Sequence, residues 1–278
     1  MPSFETPEPI TVTLEFDLGT ARITAGKRTD TVVEVRPADA TADADVRAAQ
    51  QTKVTCSGGR LVVKGPKKRS IFGKCGSLDI TIELPAGSDV LGTSPMADFT
   101  CAGPLGECRL KTSLGDLQVD EADTVNLRTD YGDIRLGRAA GDAELVAAGR
   151  IEAGEIGGAA VVKNGNGATT IGEVSGALRA SASNGLISVG VARAGVEAKS
   201  ANGPIRIGEA ARGRVVLRAA AGDLEVGIPG STAAWLDVAT GVGSVRNSLG
   251  PSEGPGDAAE TVEVRAHTSL GDIVIHRA

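Results

Sequence analysis

The stretch Val196-Glu197-Ala198-Lys199-Ser200-Ala201-Asn202-Gly203-Pro204-Ile205-Arg206-Ile207 decides the fold, because a near copy precedes it by 18 residues as Leu178-Arg179-Ala180-Ser181-Ala182-Ser183-Asn184-Gly185-Leu186-Ile187-Ser188-Val189. In both, small or apolar side chains alternate with polar ones up to an Asn-Gly pair. Two aliphatic residues then follow, at the second and fourth places after the glycine. The frame recurs at Gly115, Gly132, Gly149, Gly167, Gly185, Gly203, Gly222, Gly243 and Gly271, in steps of 17, 17, 18, 18, 18, 19, 21 and 28 residues. Alternation of period two means that one face of each strand is buried. The inward slots are filled by pairs such as Val125 and Leu127, Val215 and Leu217, Leu224 and Val226, and Leu236 and Val238. One such turn cannot close its own core, but turns stacked at about 4.8 Å bury a continuous aliphatic column. The expected fold is all-β, a single-stranded parallel β-solenoid (β-helix) of ~18-residue turns, each made of strand, corner, strand and corner with a short third side. A β-sandwich also has short strands, but its loops vary more in length than these steps do.

Composition fits a narrow core. Hydrophobic residues make up 41% of the chain and aromatics only 2%, with Tyr131 and Trp235 the single Tyr and Trp. Globular cores draw volume from aromatic rings; a solenoid column needs Val, Ile, Leu and Ala. The net charge of −6 opposes non-specific binding to nucleic acid. The one basic run, Lys64 followed by Lys67-Lys68-Arg69, reads as a solvated loop. No stretch approaches the ~18 apolar residues of a membrane helix, so no membrane insertion is expected. Met1–Pro9 lacks the basic and apolar regions of a secretory signal, which makes a cytoplasmic location the expectation. The four cysteines, Cys56, Cys75, Cys101 and Cys108, are then free thiols.

Register places two of these cysteines. Cys108 stands seven residues before Gly115, and Ala97 takes the glycine place of the preceding turn, so Phe99, Cys101 and Cys108 all point inward. Cys56 and Cys75 lie about one turn apart, which leaves a regulatory disulfide between them as an alternative. The first ninety residues are less regular. Ile10–Phe16, Arg22–Ala25, Thr31–Arg36, Lys53–Cys56, Leu61–Lys64 and Leu78–Leu84 read as strands, and Asp43–Gln51 as a helix. The expected division is an irregular β-rich cap at 1–91 and solenoid repeats at 92–278, with an exposed Gly/Pro/Ser loop at 247–260. The cap covers one end of the stack, and the closing Ile275-His276-Arg277-Ala278 blunts the other edge. A monomer or small closed oligomer is expected.

Few residues suggest chemistry. Asn166, Asn184 and Asn202 stack at one corner, where amides hydrogen-bond up a column and Asn tolerates a left-handed backbone. Asp116, Asp133, Asp223 and Asp272 follow their glycines. Asp116 and Asp133 lie on adjacent turns, so each is expected to accept corner amides or a neighbouring cation. A calcium site there lacks the glycine-rich nonapeptide such sites use. The only two histidines, His267 and His276, and the cysteine spacing give no zinc pattern. There is no G-x-S-x-G elbow, and Asn164-Gly165-Asn166-Gly167 lacks the Lys-Ser/Thr ending of a phosphate loop. No catalytic residue, cofactor or metal is therefore expected.

The repeated Gly-Asp-Ile/Leu-x-Val units resemble the bacterial β-strand repeat proteins grouped as proposed adhesins, a family of unknown function. The resemblance includes the strand Ile10–Phe16, the segment Leu78-Asp79-Ile80-Thr81-Ile82-Glu83-Leu84-Pro85-Ala86-Gly87-Ser88 and the closing Thr268-Ser269-Leu270-Gly271-Asp272-Ile273. It implies a β-solenoid and no known catalytic residues. The expected function is a non-enzymatic intracellular scaffold or protein-binding module. An exported adhesin-like surface protein and a carbohydrate-active β-helix enzyme are the alternatives. The second alternative is poorly served by so few aromatics for stacking sugars.

Overall fold

Strict alternation of aliphatic and polar positions puts strands along almost the whole chain. The computed structural model describes residues 2–66, 76–250 and 258–278. The Lys67-Lys68-Arg69 run, Cys75 and residues 251–257 of the expected loop lie outside them. The chain divides into two compact units, Met1–Ala139 and Ala140–Ala278.

The first unit contains β1 (Ser3–Glu5), β2 (Thr11–Glu15), β3 (Leu18–Gly26), β4 (Asp30–Pro37), α1 (Asp43–Gln51), β5 (Lys53–Ser57), β6 (Arg60–Lys64), β7 (Leu78–Pro85), β8 (Asp89–Leu114), β9 (Leu117–Tyr131) and β10 (Ile134–Ala139). The strands and helix read from the first ninety residues are all present, most within one residue of the expected ends; β3 begins at Leu18, four residues before the expected Arg22. Parallel stacking begins before residue 92. β2 pairs with both β6 and β8, and β3 with both β7 and β8. β8 then pairs with β9, and β9 with β10. The covering elements are antiparallel: β5 on β6, β4 on β7 and β1 on β4. Helix α1 carries Asp43 and Asp45 in its first turn, where the helix dipole favours them. Asp45 is buried and accepts hydrogen bonds from the amides of Asp39 and Ser77.

The second unit contains β11 (Ala143–Ala147), β12 (Ile151–Ile156), β13 (Ala160–Asn164), β14 (Thr169–Val174), β15 (Leu178–Asn184), β16 (Ile187–Ala192), β17 (Val196–Asn202), β18 (Ile205–Ala210), β19 (Gly213–Ala221), β20 (Leu224–Ile228), β21 (Thr232–Val242), β22 (Val245–Asn247), β23 (Glu260–Leu270) and β24 (Ile273–Arg277). Odd-numbered strands stack into one parallel sheet and even-numbered strands into another, one pair per turn. This is a parallel β-solenoid. The column Ile151, Thr169, Ile187, Ile205, Leu224, Ile273 runs through the even sheet in register, and all six are buried. Ile156, Val174, Ala192 and Ala210 form a further buried column at the C-terminal ends of the even strands.

The stack does not follow chain order at its end. β23 pairs with β19 on one side and β21 on the other, and β24 lies between β20 and β22. The last turn in sequence is thus the penultimate turn in space. This corrects the expectation that Ile275–Ala278 forms the edge, since the outermost turn is β21–β22. It also corrects the inward pair Leu236 and Val238, which hold core slots but are only half-buried because no turn stacks on them.

The repeat glycines are fixed by the stacking. A Cβ on Gly203 would lie 2.1 Å from the carbonyl oxygen of Gly185, and φ there is +149°. No residue other than glycine has positive φ among those described. The corner asparagines are therefore not left-handed; Gly185 and Gly203, after Asn184 and Asn202, take positive φ instead.

Candidate binding face

Two corner columns form as the spacing suggests. Asn184 donates its side-chain amide to Asn166 Oδ1 at 2.9 Å, and Asn202 donates to Asn184 Oδ1 at 3.1 Å. The aspartates form an amide-accepting column. The backbone N–H of Asp116 donates to Asp98 Oδ1, and that of Asp133 to Asp116 Oδ1, each at 2.8 Å. In the second unit the amide of Asp272 donates to Asp223 Oδ1, and that of Ser244 to Asp272 Oδ1, again at 2.8 Å. The Ser244 hydrogen bonds, and then Arg246, hold the Asp272 carboxyl below the usual carboxylate range. Among the described residues no three His, Cys, Asp or Glu side chains converge as a metal site would require.

Cys101 and Cys108 are fully buried beside the equally buried Phe99. Their mutual hydrogen bond, together with burial, pushes the Cys108 thiol well above its ordinary value. A thiol held protonated is a poor nucleophile. Asn164 was not singled out by the repeat pattern, yet it is buried, and its side chain bonds Gly167 and Thr169 Oγ1 inside the core. The signal was there: Asn164 occupies an inward place where the next turns carry Ala182 and Ser200.

The outward face of the odd sheet gathers charge that no single motif displays. Cross-strand register aligns Arg179, Glu197, Val216, Arg265 and Asp237 in one row, and Ser181, Lys199, Arg218 and His267 in the next. Arg214, Glu263 and Trp235 form a third. Arg179, Arg214, Arg218 and Arg265 surround Val216 in a shallow depression of about 390 Å³. Glu263 pairs with Arg265 at 2.7 Å and Arg214 at 3.6 Å, and Glu197 pairs with Lys199 at 2.7 Å and Arg179 at 3.8 Å. Lys199 first, and then Arg179 and Arg218, lower the Glu197 carboxyl from its ordinary value. Arg218 has no carboxylate within 4 Å among the described residues. Arg265 lies 5.7 Å from the centroid of the Trp235 ring, which is exposed. The face is open and arginine-rich, with one large exposed aromatic beside the depression.

These features define a parallel β-solenoid built of repeated turns. The family model described as Toastrack DUF4097 matches residues 20–276, and the chain belongs to that family. Similar solved structures include a proposed cell adhesion protein from Clostridium sporogenes, with 13% identity, a TM-score of 0.24, and coverage of 100% of this chain and 98% of that one. A proposed adhesin from Bacteroides fragilis has 14% identity, a TM-score of 0.34, and coverage of 100% and 95%. Another, from Parabacteroides merdae, has 10% identity, a TM-score of 0.33, and the same coverage. No curated protein matches. No helix among the described residues is long and apolar enough to cross a membrane.

Proposed function

We propose that the protein is a non-enzymatic binding scaffold that presents the outward face of its odd sheet to an acidic segment of a protein partner. The observation that carries this reading is the cluster of Arg179, Arg214, Arg218 and Arg265 around Val216, in a chain whose net charge is −6. Arginine forks match carboxylates two bonds at a time, and Arg and Trp are the side chains most enriched among residues that dominate protein interfaces. The depression is too open to exclude water from a reaction, and the buried Cys108 thiol is held protonated.

The test is capture from the native host on immobilised full-length protein, comparing wild type with Arg179→Glu/Arg218→Glu. A partner retained by wild type in a salt-dependent way and lost on the charge-reversed face supports the reading. Equal retention by both proteins sinks it. Fractionation of the same host separates an intracellular scaffold from an exported adhesin-like protein.

A further inference from the structure

The outermost turn, β21–β22, ends the stack with an unfilled core. Its slots match those of the inner turns: Leu236 lies over Val264, Val238 over Ala266, and Val245 over Ile273. The inner members are buried to 2% or less, whereas Val245 is 43% exposed, and Leu236 and Val238 are half-buried. Val242 and Trp235 beside them are 66% and 56% exposed. β21 pairs only with β23 among the described residues, so alternate amides and carbonyls along its other edge face outward.

Proteins that keep such an edge open guard it with charges, prolines, bulges or short length. β21 is 11 residues long, contains no proline and carries one charged side chain, Asp237. We propose that this edge is a homodimer interface, in which β21 pairs antiparallel with β21 of a second copy about a two-fold axis at Val238.

Three observations select this occupant. First, the edge is self-complementary in that register. Val238 faces its own copy, Leu236 faces Thr240, and Trp235 faces Gly241. Asp237 stands opposite Ala239, so like charges are not apposed. An axis one residue earlier would set Asp237 against itself.

Second, a head-to-tail contact needs a different matching edge. The edge strands of the first unit, β1 and β5, are 3 and 5 residues long and cannot match β21. A two-fold contact closes after one partner.

Third, the size fits only a weak dimer. Eleven residues at ~3.3 Å, across two sheets ~10 Å apart, give an end face of roughly 360 Å² per copy. The total of roughly 700 Å² lies below the ~1,000 Å² of stable specific interfaces. The dimer is therefore transient and forms only at high protein concentration.

The experiment is sedimentation velocity on the full chain from about 1 µM to 500 µM, with Val238→Lys beside wild type and circular dichroism to confirm folding. Wild type should shift from monomer to dimer with concentration, and Val238→Lys should remain monomeric. Because a lysine in this slot could also unfold the terminal turn, Val238→Cys and Ala233→Cys are oxidised in parallel. Facing residues of an antiparallel pair lie within disulfide reach, so Val238→Cys should form a covalent dimer and Ala233→Cys, far from the axis, should not. A wild type that stays monomeric throughout, filaments, or equal cross-linking of the two cysteine variants would each overturn the proposal. Arg179→Glu/Arg218→Glu should dimerise like wild type, which keeps this outcome separate from partner binding.

Discussion

Ile205→Ala and Val245→Ala truncate equivalent slots of the repeat and should differ about threefold or more in cost. Ile205 has no exposed surface and sits between Ile187 and Leu224 in the column. Ile-to-Ala truncations in cores cost about 2–5 kcal/mol, and more where the surroundings cannot collapse. Here the ladders on both sides fix the strand spacing, so about 3–4 kcal/mol is expected. Val245 holds the same slot in the outermost turn at 43% exposure. Its truncation removes two methyl groups already half in water and leaves no enclosed cavity. At ~0.8 kcal/mol per buried carbon, the loss is about 1 kcal/mol or less. Urea unfolding followed by circular dichroism, at low micromolar protein, reads both values. Equal costs would show that β21–β22 is not the terminal turn. An Ile205→Ala cost below about 1 kcal/mol would mean the register of the whole column is wrong.

Gly203→Ala forces a side chain to φ +149° and to 2.1 Å from the Gly185 carbonyl; it should lower the urea midpoint by an amount worth about 3 kcal/mol or more, and an unchanged midpoint would contradict the corner geometry. Asn184→Ala breaks two hydrogen bonds of an exposed ladder and should cost about 1 kcal/mol by the same assay; a cost of several kcal/mol would mean the ladder holds the corner rigidly. Asp272 has a lowered folded-state pKa, so its contribution is present above the unfolded-state value of ~3.9 and is lost as pH falls through the folded-state value. Asp272→Asn should therefore be less stable than wild type at pH 7, with the gap closing below about pH 4; a gap independent of pH would contradict the assignment. Cys108, buried and held protonated by Cys101 and its apolar surroundings, should react with a thiol reagent only at the rate of unfolding, as mass spectrometry of digests can show.

The inward slots made the turns legible. A Val, Ile or Leu two places after a glycine has one structural fate in a stack, and Phe99, Cys101 and Cys108 took it. The order of the turns was not legible by the same rule. β21–β22 and β23–β24 carry the same pattern, glycine included, so either could sit on β19–β20 by local preference alone. One residue breaks the tie. Asn247 occupies the slot that Ile275 and Val226 fill in the neighbouring turns. A polar residue there needs either hydrogen-bond partners in the core, as Asn164 has, or water; Asn247 is exposed and accepts from the nearby Leu249 amide, which suits the last turn. In the first unit the order is also not that of the chain: β2–β3 is flanked by β6–β7 on one side and β8 on the other, with β4 and β5 as antiparallel covers.

The arginine cluster was invisible for the same reason. Arg179 belongs to β15, Arg214 and Arg218 to β19, and Arg265 to β23, and no linear motif joins them. Had the turns stacked in chain order, β21 would lie on β19 and Asp237 would stand beside Val216, where Arg265 now stands. The two side chains would exchange places, setting a carboxylate beside Val216 and moving the Arg265 guanidinium out to the last strand. The out-of-order insertion of β23 thus sets which charge lies beside Val216 and, by the same act, leaves the weakly charged β21 at the edge. Turns whose inward slots are all aliphatic can be reordered at little cost to the core, and it is the few polar slots, such as Asn247, that fix the order. What such a reordering changes is which outward side chains become neighbours, and those neighbours determine what the face can bind.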